Sequence, residues 1–148
     1  MKNKTLKMLI IIAIVLIVVD QLIKILSIQL LKNPIGNDLF GLELVHNTGM
    51  AFGFNDGNIK NIILTTFVLL VIFNFIKNQI ERIDRKTTIA LSFVIAGGIS
   101  NLIDRIFRGS VIDFIKIYKI PNFNFADICI VIGVIILGIN LIIHKDRL

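Results

Sequence analysis

Hydrophobic positions along the chain gather into four long runs rather than into short amphipathic stripes. The runs cover residues 6–31, 61–76, 87–107 and 126–143. Each is near the ~20 residues that a helix needs to cross a hydrocarbon core. The second run is the shortest, and its helix is expected to start a little earlier. The first is interrupted by Asp20, Lys24 and Gln29. Two polar-marked segments separate the runs. Residues 32–60 carry Asn-Pro-Ile-Gly and Asn-Asp-Gly turn signals, and alternation over residues 42–46 predicts a small β-element at the membrane interface. Residues 108–125, rich in Ile, Phe and Tyr, are expected to lie on the membrane surface. No internal repeat or low-complexity linker breaks the pattern, so one domain over residues 1–148 is expected. The fold class read from this pattern is an all-α membrane protein of four transmembrane helices with a small extracytoplasmic β-element.

Composition agrees. Hydrophobic residues make up 55% of 148 positions and the mean hydropathy is +0.87. A soluble core of this length cannot hide so much apolar surface. The basic start followed by an apolar run resembles a secretory signal. No small-residue cleavage site follows, so the first helix is expected to be retained. Cys129 is the single cysteine, which excludes an internal disulfide and argues against a cysteine metal cluster. With no Trp, interfacial anchoring falls to Tyr118 and Phe residues.

Charge orients the helices. With both termini cytoplasmic, the inner side holds nine basic residues: Lys2, Lys4, Lys7, Lys77, Arg82, Arg85, Lys86, Lys145 and Arg147. Its acids are Glu81, Asp84 and Asp146. The other side holds seven basic residues (Lys24, Lys32, Lys60, Arg105, Arg108, Lys116, Lys119) and seven acids (Asp20, Asp38, Glu43, Asp56, Asp104, Asp113, Asp127). By count the bias is a small one, nine against seven, and the short flanks carry it better: Lys-Asn-Lys at the start and Arg-Lys between the second and third helices. The net charge of +6 falls on the same side, though acids contribute little to topology. No nucleic-acid partner is implied. The outer half is neutral yet dense in charge, which predicts ion pairs.

Several polar groups sit where lipid makes them costly. Asp20 and Lys24 are four apart on one helix face and can pair. An intramembrane charge is a functional candidate, although such a pair can equally fix helix packing. Gly97-Gly98 precedes Asn101, Asp104 and Arg105, which share a face at i, i+3 and i+4. The glycines let a neighbouring helix approach. Arg105 can grip a carboxylate and an amide, so the trio reads as scaffold for a site. Asn47-Thr48-Gly49-Met50-Ala51-Phe52 carries the Asn-x-Gly turn signal, and its functional reading sets the amide and backbone against a bound peptide. Asp113 and Asp127 lie among apolar and aromatic residues beside the bundle mouth. Asp127 alone can be an N-terminal cap of the fourth helix, and Asp113 alone a solvated loop acid. Together, two carboxylates sharing a proton can activate water against an amide. His46 and His144 have no ligand-spaced partners, so no metal and no cofactor are expected. Cys129 reads as packing.

In this order the motifs Asp20-Gln-Leu-Ile-Lys24, Asn47-Thr-Gly-Met-Ala-Phe52, Gly97-Gly98 with Asn101-Leu-Ile-Asp104-Arg105, Val111-Ile-Asp113-Phe114 and Phe123-Asn124-Phe-Ala-Asp127 resemble the lipoprotein signal peptidase (signal peptidase II) family. The resemblance implies an aspartic endopeptidase of the bacterial inner membrane, multi-pass, with its site near the outer face. Such an enzyme removes signal peptides from prolipoproteins, cleaving just before a cysteine that carries diacylglycerol. Its partners are that lipid-modified substrate and membrane lipid; oligomeric state is left open. The resemblance makes Asp113 and Asp127 catalytic. It makes Asp20, Lys24, Asn47, Gly49, Asn101, Asp104, Arg105 and Asn124 supports or lining of the site. Two departures stand out. Ile23 occupies a position where the family usually has Thr or Ser, and the segment between Asp113 and Asp127 is short. A rival reading, a small ion-coupled transporter or channel subunit, predicts acids near the midplane and often an inverted repeat. Here the acids crowd one end.

Overall fold

The computed structural model describes residues 2–49 and 58–144. Met50, Ala51, Phe52, Asp56, Lys145, Asp146 and Arg147, used in the sequence reading, lie outside the described residues. The elements in order are α1 (Lys2–Leu30), β1 (Ile35–Gly36), β2 (Phe40–Asn47), α2 (Asn58–Gln79), α3 (Arg85–Phe107), β3 (Val111–Ile117), β4 (Ile120–Phe123) and α4 (Phe125–His144). All four helices are long and apolar enough to span a bilayer. The expected class, four membrane helices with a small β-element, is the one observed, and α2 does begin earlier than its apolar run.

The least apolar span, α3, is the most buried and packs against all three other helices. Its start is fixed by Asp84, whose carboxylate accepts the Thr87 amide at 2.8 Å. Its end is fixed by Arg108, whose amide donates to the Asp104 carbonyl, and by Gly109 at φ +77°. A Cβ on Gly97 would come within 2.3 Å of the Ala126 carbonyl oxygen, and one on Gly133 within 2.6 Å of that of Ala90. Glycine on each helix therefore lets α3 and α4 touch backbone to backbone. Gly98 faces Leu69 of α2 instead. An apolar cluster of Leu9, Ile76, Ile80 and Leu91 closes the end of the bundle near the α2–α3 turn. The opposite end is filled by polar groups.

That polar end carries an antiparallel sheet in the order β1-β2-β3-β4. Phe40 pairs with Ile117, Leu42 with Ile115, Val45 with Asp113 and Asn47 with Val111, with a bulge between Leu42 and Val45. The β-element is larger than the alternation over residues 42–46 predicts. Residues 108–125, expected on the membrane surface, form the β3–β4 hairpin, closed by Tyr118 and Lys119, with Lys119 at φ +61°. Val111, Ile112, Asp113 and Phe114 are all buried, so both faces of β3 are covered at its start. This erases the period-two alternation by which a strand is recognised.

Candidate active site

The charged residues at the polar end condense into one cluster. Lys24 is fully buried, and its ammonium donates to Asp20 at 2.7 Å, Asp104 at 2.8 Å and the Asn101 side-chain oxygen at 3.0 Å. All three ammonium protons are thereby used. Asp20 also accepts from the Ser100 hydroxyl at 2.6 Å and from the Ala126 amide at 2.8 Å. It thus satisfies a free N–H in the first turn of α4 from α1. Asp104 further accepts from the Ile112 amide, from Gln21 and from Arg108. Helices α1, α3 and α4 and strand β3 are all tied to this cluster.

The grip on a carboxylate and an amide expected of Arg105 is made by Arg108 instead, which holds Asp104 and the Gln21 side-chain oxygen. Both lie at i+1 and i+4 from Asp104, and the i+4 direction carries Arg108 to the α1 side. Arg105 turns the other way, into a groove with Asn101, Asp113 and Asp127. Its buried Nε has no hydrogen-bond partner among the described residues.

Asp113 comes from β3 and Asp127 from the first turn of α4, and Asn124 joins them. The Asn124 side-chain N–H donates to Asp113 at 2.7 Å, and its backbone N–H donates to Asp127 at 3.1 Å. The Asp127 amide returns a bond to the Asn124 side-chain oxygen at 3.0 Å. This reciprocal pair is a capping box. The cap of α4 is therefore Asn124, and Asp127 stands three residues on rather than at the cap itself. The second Asp127 oxygen accepts from Asn101 at 2.8 Å, and the second Asp113 oxygen from Asn47 at 2.8 Å.

The three amides have no freedom to turn over. The Asn101 oxygen is held by Lys24, a pure donor, so its N–H must face Asp127. The Asn124 oxygen is held by the Asp127 amide, so its N–H faces Asp113. The Asn47 oxygen is held by the Gly49 amide, a turn about the Asn-x-Gly sequence, so its N–H also faces Asp113. The turn and the site contact are the same structure. Each carboxylate thus has both oxygens engaged by oriented donors, while neither is paired directly to a cation among the described residues. Asp113, in β3, titrates at about 6: burial raises it, the Asn47 hydrogen bond opposes, and the nearby Asp127 charge raises it further. Both acids line an open groove of about 1000 Å3, which runs from Val45 and Ile117 on the sheet to Val131 and Ile132 on α4.

A family model described as signal peptidase (SPase) II matches residues 12–143. The chain belongs to the signal peptidase II family. The lipoprotein signal peptidase of Clostridium acetobutylicum is 37% identical over 142 residues, covering 88% of this chain and 91% of that protein. That of Symbiobacterium thermophilum is 36% identical over 147 residues, covering 93% and 96%. A solved bacterial membrane enzyme superposes with a TM-score of 0.84 at 28% identity, over 95% of this chain and 91% of the other.

Against the signal peptidase II pattern, Ile23 supplies no hydroxyl on α1; the hydroxyl that meets Asp20 is that of Ser100 on α3. The short stretch between Asp113 and Asp127 is the tight β3–β4 hairpin, and it still brings both acids onto Asn124. Gln21, Ser100 and Arg108 escaped the sequence reading. Arg108 had a signal, its i+4 spacing from Asp104. Gln21 and Ser100 had none, because uncharged polar residues in a membrane helix do not declare their partners.

Proposed function

We propose that Asp113 and Asp127 are the catalytic pair of a membrane-embedded aspartic endopeptidase. It removes the signal peptide from diacylglyceryl-modified prolipoproteins, cleaving just before the lipidated cysteine. One observation carries the assignment: a buried acid on a strand, Asp113, and a half-buried one on a helix, Asp127, meet on one asparagine, at a groove that opens onto an apolar helix flank. One carboxylate, ionised, takes a proton from water as it attacks the scissile carbonyl carbon. The other, protonated, donates to the carbonyl oxygen, giving a tetrahedral intermediate. Collapse breaks the C–N bond, and the proton taken from water passes to the departing amine. Asn47, Asn101 and Asn124 hold the pair in register, and Gly49 fixes Asn47. Asp20, Lys24 and Asp104 support this shell from below. Arg105, which lines the groove beside both acids, is assigned to the substrate backbone.

The groove's apolar lining suits a substrate whose lipid stays in the bilayer. The protein is placed in the bacterial inner membrane as one domain, both termini cytoplasmic and the site near the outer face. Support for that orientation is the surplus of Lys and Arg on the inner side. The test is cleavage of a diacylglyceryl-modified prolipoprotein by the purified protein in lipid, beside the same precursor without its lipid. Cleavage before the modified cysteine is expected, with little of the unmodified precursor consumed. Absence of cleavage by folded protein, or equal cleavage of both, contradicts the assignment.

A further inference from the structure

Helix α3 buries the hydroxyls of Thr88, Ser92 and Ser100 completely, and they do not behave alike. Those of Thr88 and Ser92 turn back on their own helix and donate to the carbonyls of Asp84 and Thr88, each at 2.7 Å. That bond to the carbonyl four residues back is the local option open to any helical hydroxyl. Ser100 instead donates across the bundle, to the Asp20 carboxylate of α1 at 2.6 Å. It also accepts the Gln21 side-chain N–H at 2.8 Å. Ser100 is not among the residues that line the groove.

The bonds around Ser100 have a fixed direction. The Arg108 guanidinium, a pure donor, holds the Gln21 side-chain oxygen at 2.8 Å, so the Gln21 N–H group faces Ser100. The Ser100 oxygen accepts from Gln21, and its single proton therefore goes to Asp20. The Asp20 oxygen that takes it also meets Lys24, and the other oxygen takes the Ala126 amide at 2.8 Å. With Asn124 as the cap, Ala126 is the second residue of α4 and Asp127 the third. The capping box serves the amide of Asp127 and leaves that of Ala126 to Asp20. Hydrogen bonds thus run one way, from Arg108 through Gln21 and Ser100 to Asp20, and the last of these carboxylate contacts is the residue before Asp127.

We propose that Ser100 is a positioning residue for Asp127: its hydroxyl sets the Asp20 carboxylate, and Asp20 sets the turn from which the acid projects. The inference rests on the reading of Asp127 as one of the catalytic pair. Without the hydroxyl, Asp20 keeps Lys24 and Ala126 but loses its direct tie to α3. Gln21 at the same time loses its nearest acceptor and keeps the longer bond to Asp104 at 3.1 Å. The carboxylate is then free to shift, and the Ala126 amide shifts with it. A small movement is enough, since a misplacement of about 1 Å can cost ~10²-fold in rate.

The experiment compares Ser100→Ala with Ser92→Ala in the purified protein in lipid, reading kcat and KM on diacylglyceryl-modified prolipoprotein together with melting temperature. Each variant removes one buried hydroxyl from α3, so both should melt somewhat earlier. Only Ser100→Ala should lower kcat, by roughly tenfold with KM unchanged, because the acid is misplaced while the groove is intact. Gln21→Met removes the donor behind Ser100, and adding it to Ser100→Ala should make little further difference, as for members of one network. Should Ser100→Ala fail to fold, Ser100→Cys keeps a weak donor and should show the same loss of kcat to a smaller degree. Wild-type kcat in folded Ser100→Ala, an equal loss of kcat in Ser92→Ala, or losses that multiply independently in the double variant overturn the relay and leave the peptidase reading standing. Absence of cleavage by the wild-type protein removes that reading and the relay with it.

Discussion

At Lys24 an ammonium with no exposed surface has three acceptors within 3.0 Å, and two of them are carboxylates. Burying one such ion costs several kcal/mol, so the group persists only because its partners are complete. Asp20 and Asp104 balance Lys24 and Arg108, two charges against two. Removing one upsets the set: Asp104→Asn should lower stability by about 3 kcal/mol, the low end for breaking a buried pair. Turnover and melting temperature should fall together. Loss of all turnover at an unchanged melting temperature would move Asp104 from scaffold to chemistry. Asp113 makes a separate prediction. Its folded value of about 6 lies above its ordinary 3.8, so the native state binds the extra proton between those values. Its contribution to stability is then complete below pH 3.8 and is lost as pH rises through 6. Asp113→Asn should gain melting temperature relative to wild type as pH rises from 3.8 to about 6 in one detergent, the difference levelling off above that. A difference that does not change with pH contradicts the assigned titration.

Among the elements, α4 has its first turn bound from three directions: by its own cap Asn124, by Asp20 of α1 and by Asn101 of α3. Asp127 is aimed by this arrangement, and Gly97 is where α3 comes close enough to allow it. Gly97→Ala should wedge the helices apart at the Ala126 carbonyl, costing roughly 1–3 kcal/mol as overpacking does, with a loss of turnover beyond the loss of stability. Gly138→Ala, with nothing within 4 Å of the added carbon, should leave both unchanged. Equal behaviour of the two variants in thermal melts and turnover would contradict the wedge. The helices were legible because lipid imposes length and apolarity on each span separately. The pairs Asp20–Lys24 and Asn47-x-Gly49 were legible because local spacing decides them. The β3–β4 hairpin was not, since burial on both faces of β3 removed its alternation. The choice of Arg108 over Arg105 was half legible: i+4 spacing from Asp104 marks Arg108, while its second partner, Gln21 on α1, carries no signal of its own.

For the whole molecule, topology and chemistry are tested apart. With both termini cytoplasmic, a cysteine at Lys32 and one at Lys86, each exposed, lie on opposite sides of the membrane. In a Cys129→Ala background an impermeant thiol reagent should label the first from outside intact cells and the second only after permeabilisation. Labelling of both from one side would contradict four spans. The central claim is that a bundle, a sheet and three locked amides converge to hold two acids against one peptide bond. Asn retains the shape of Asp but cannot accept or cycle a proton. The direct measurement is therefore turnover of diacylglyceryl-modified prolipoprotein by folded Asp113→Asn and Asp127→Asn proteins, with and without a chelator. Each single variant is predicted to lose at least about a hundredfold, the low end for acid–base groups. The double variant should be little worse than either one, since the pair acts as a unit. Chelator should change nothing. Near wild-type turnover by either folded single variant would contradict the dyad and the aspartic mechanism with it.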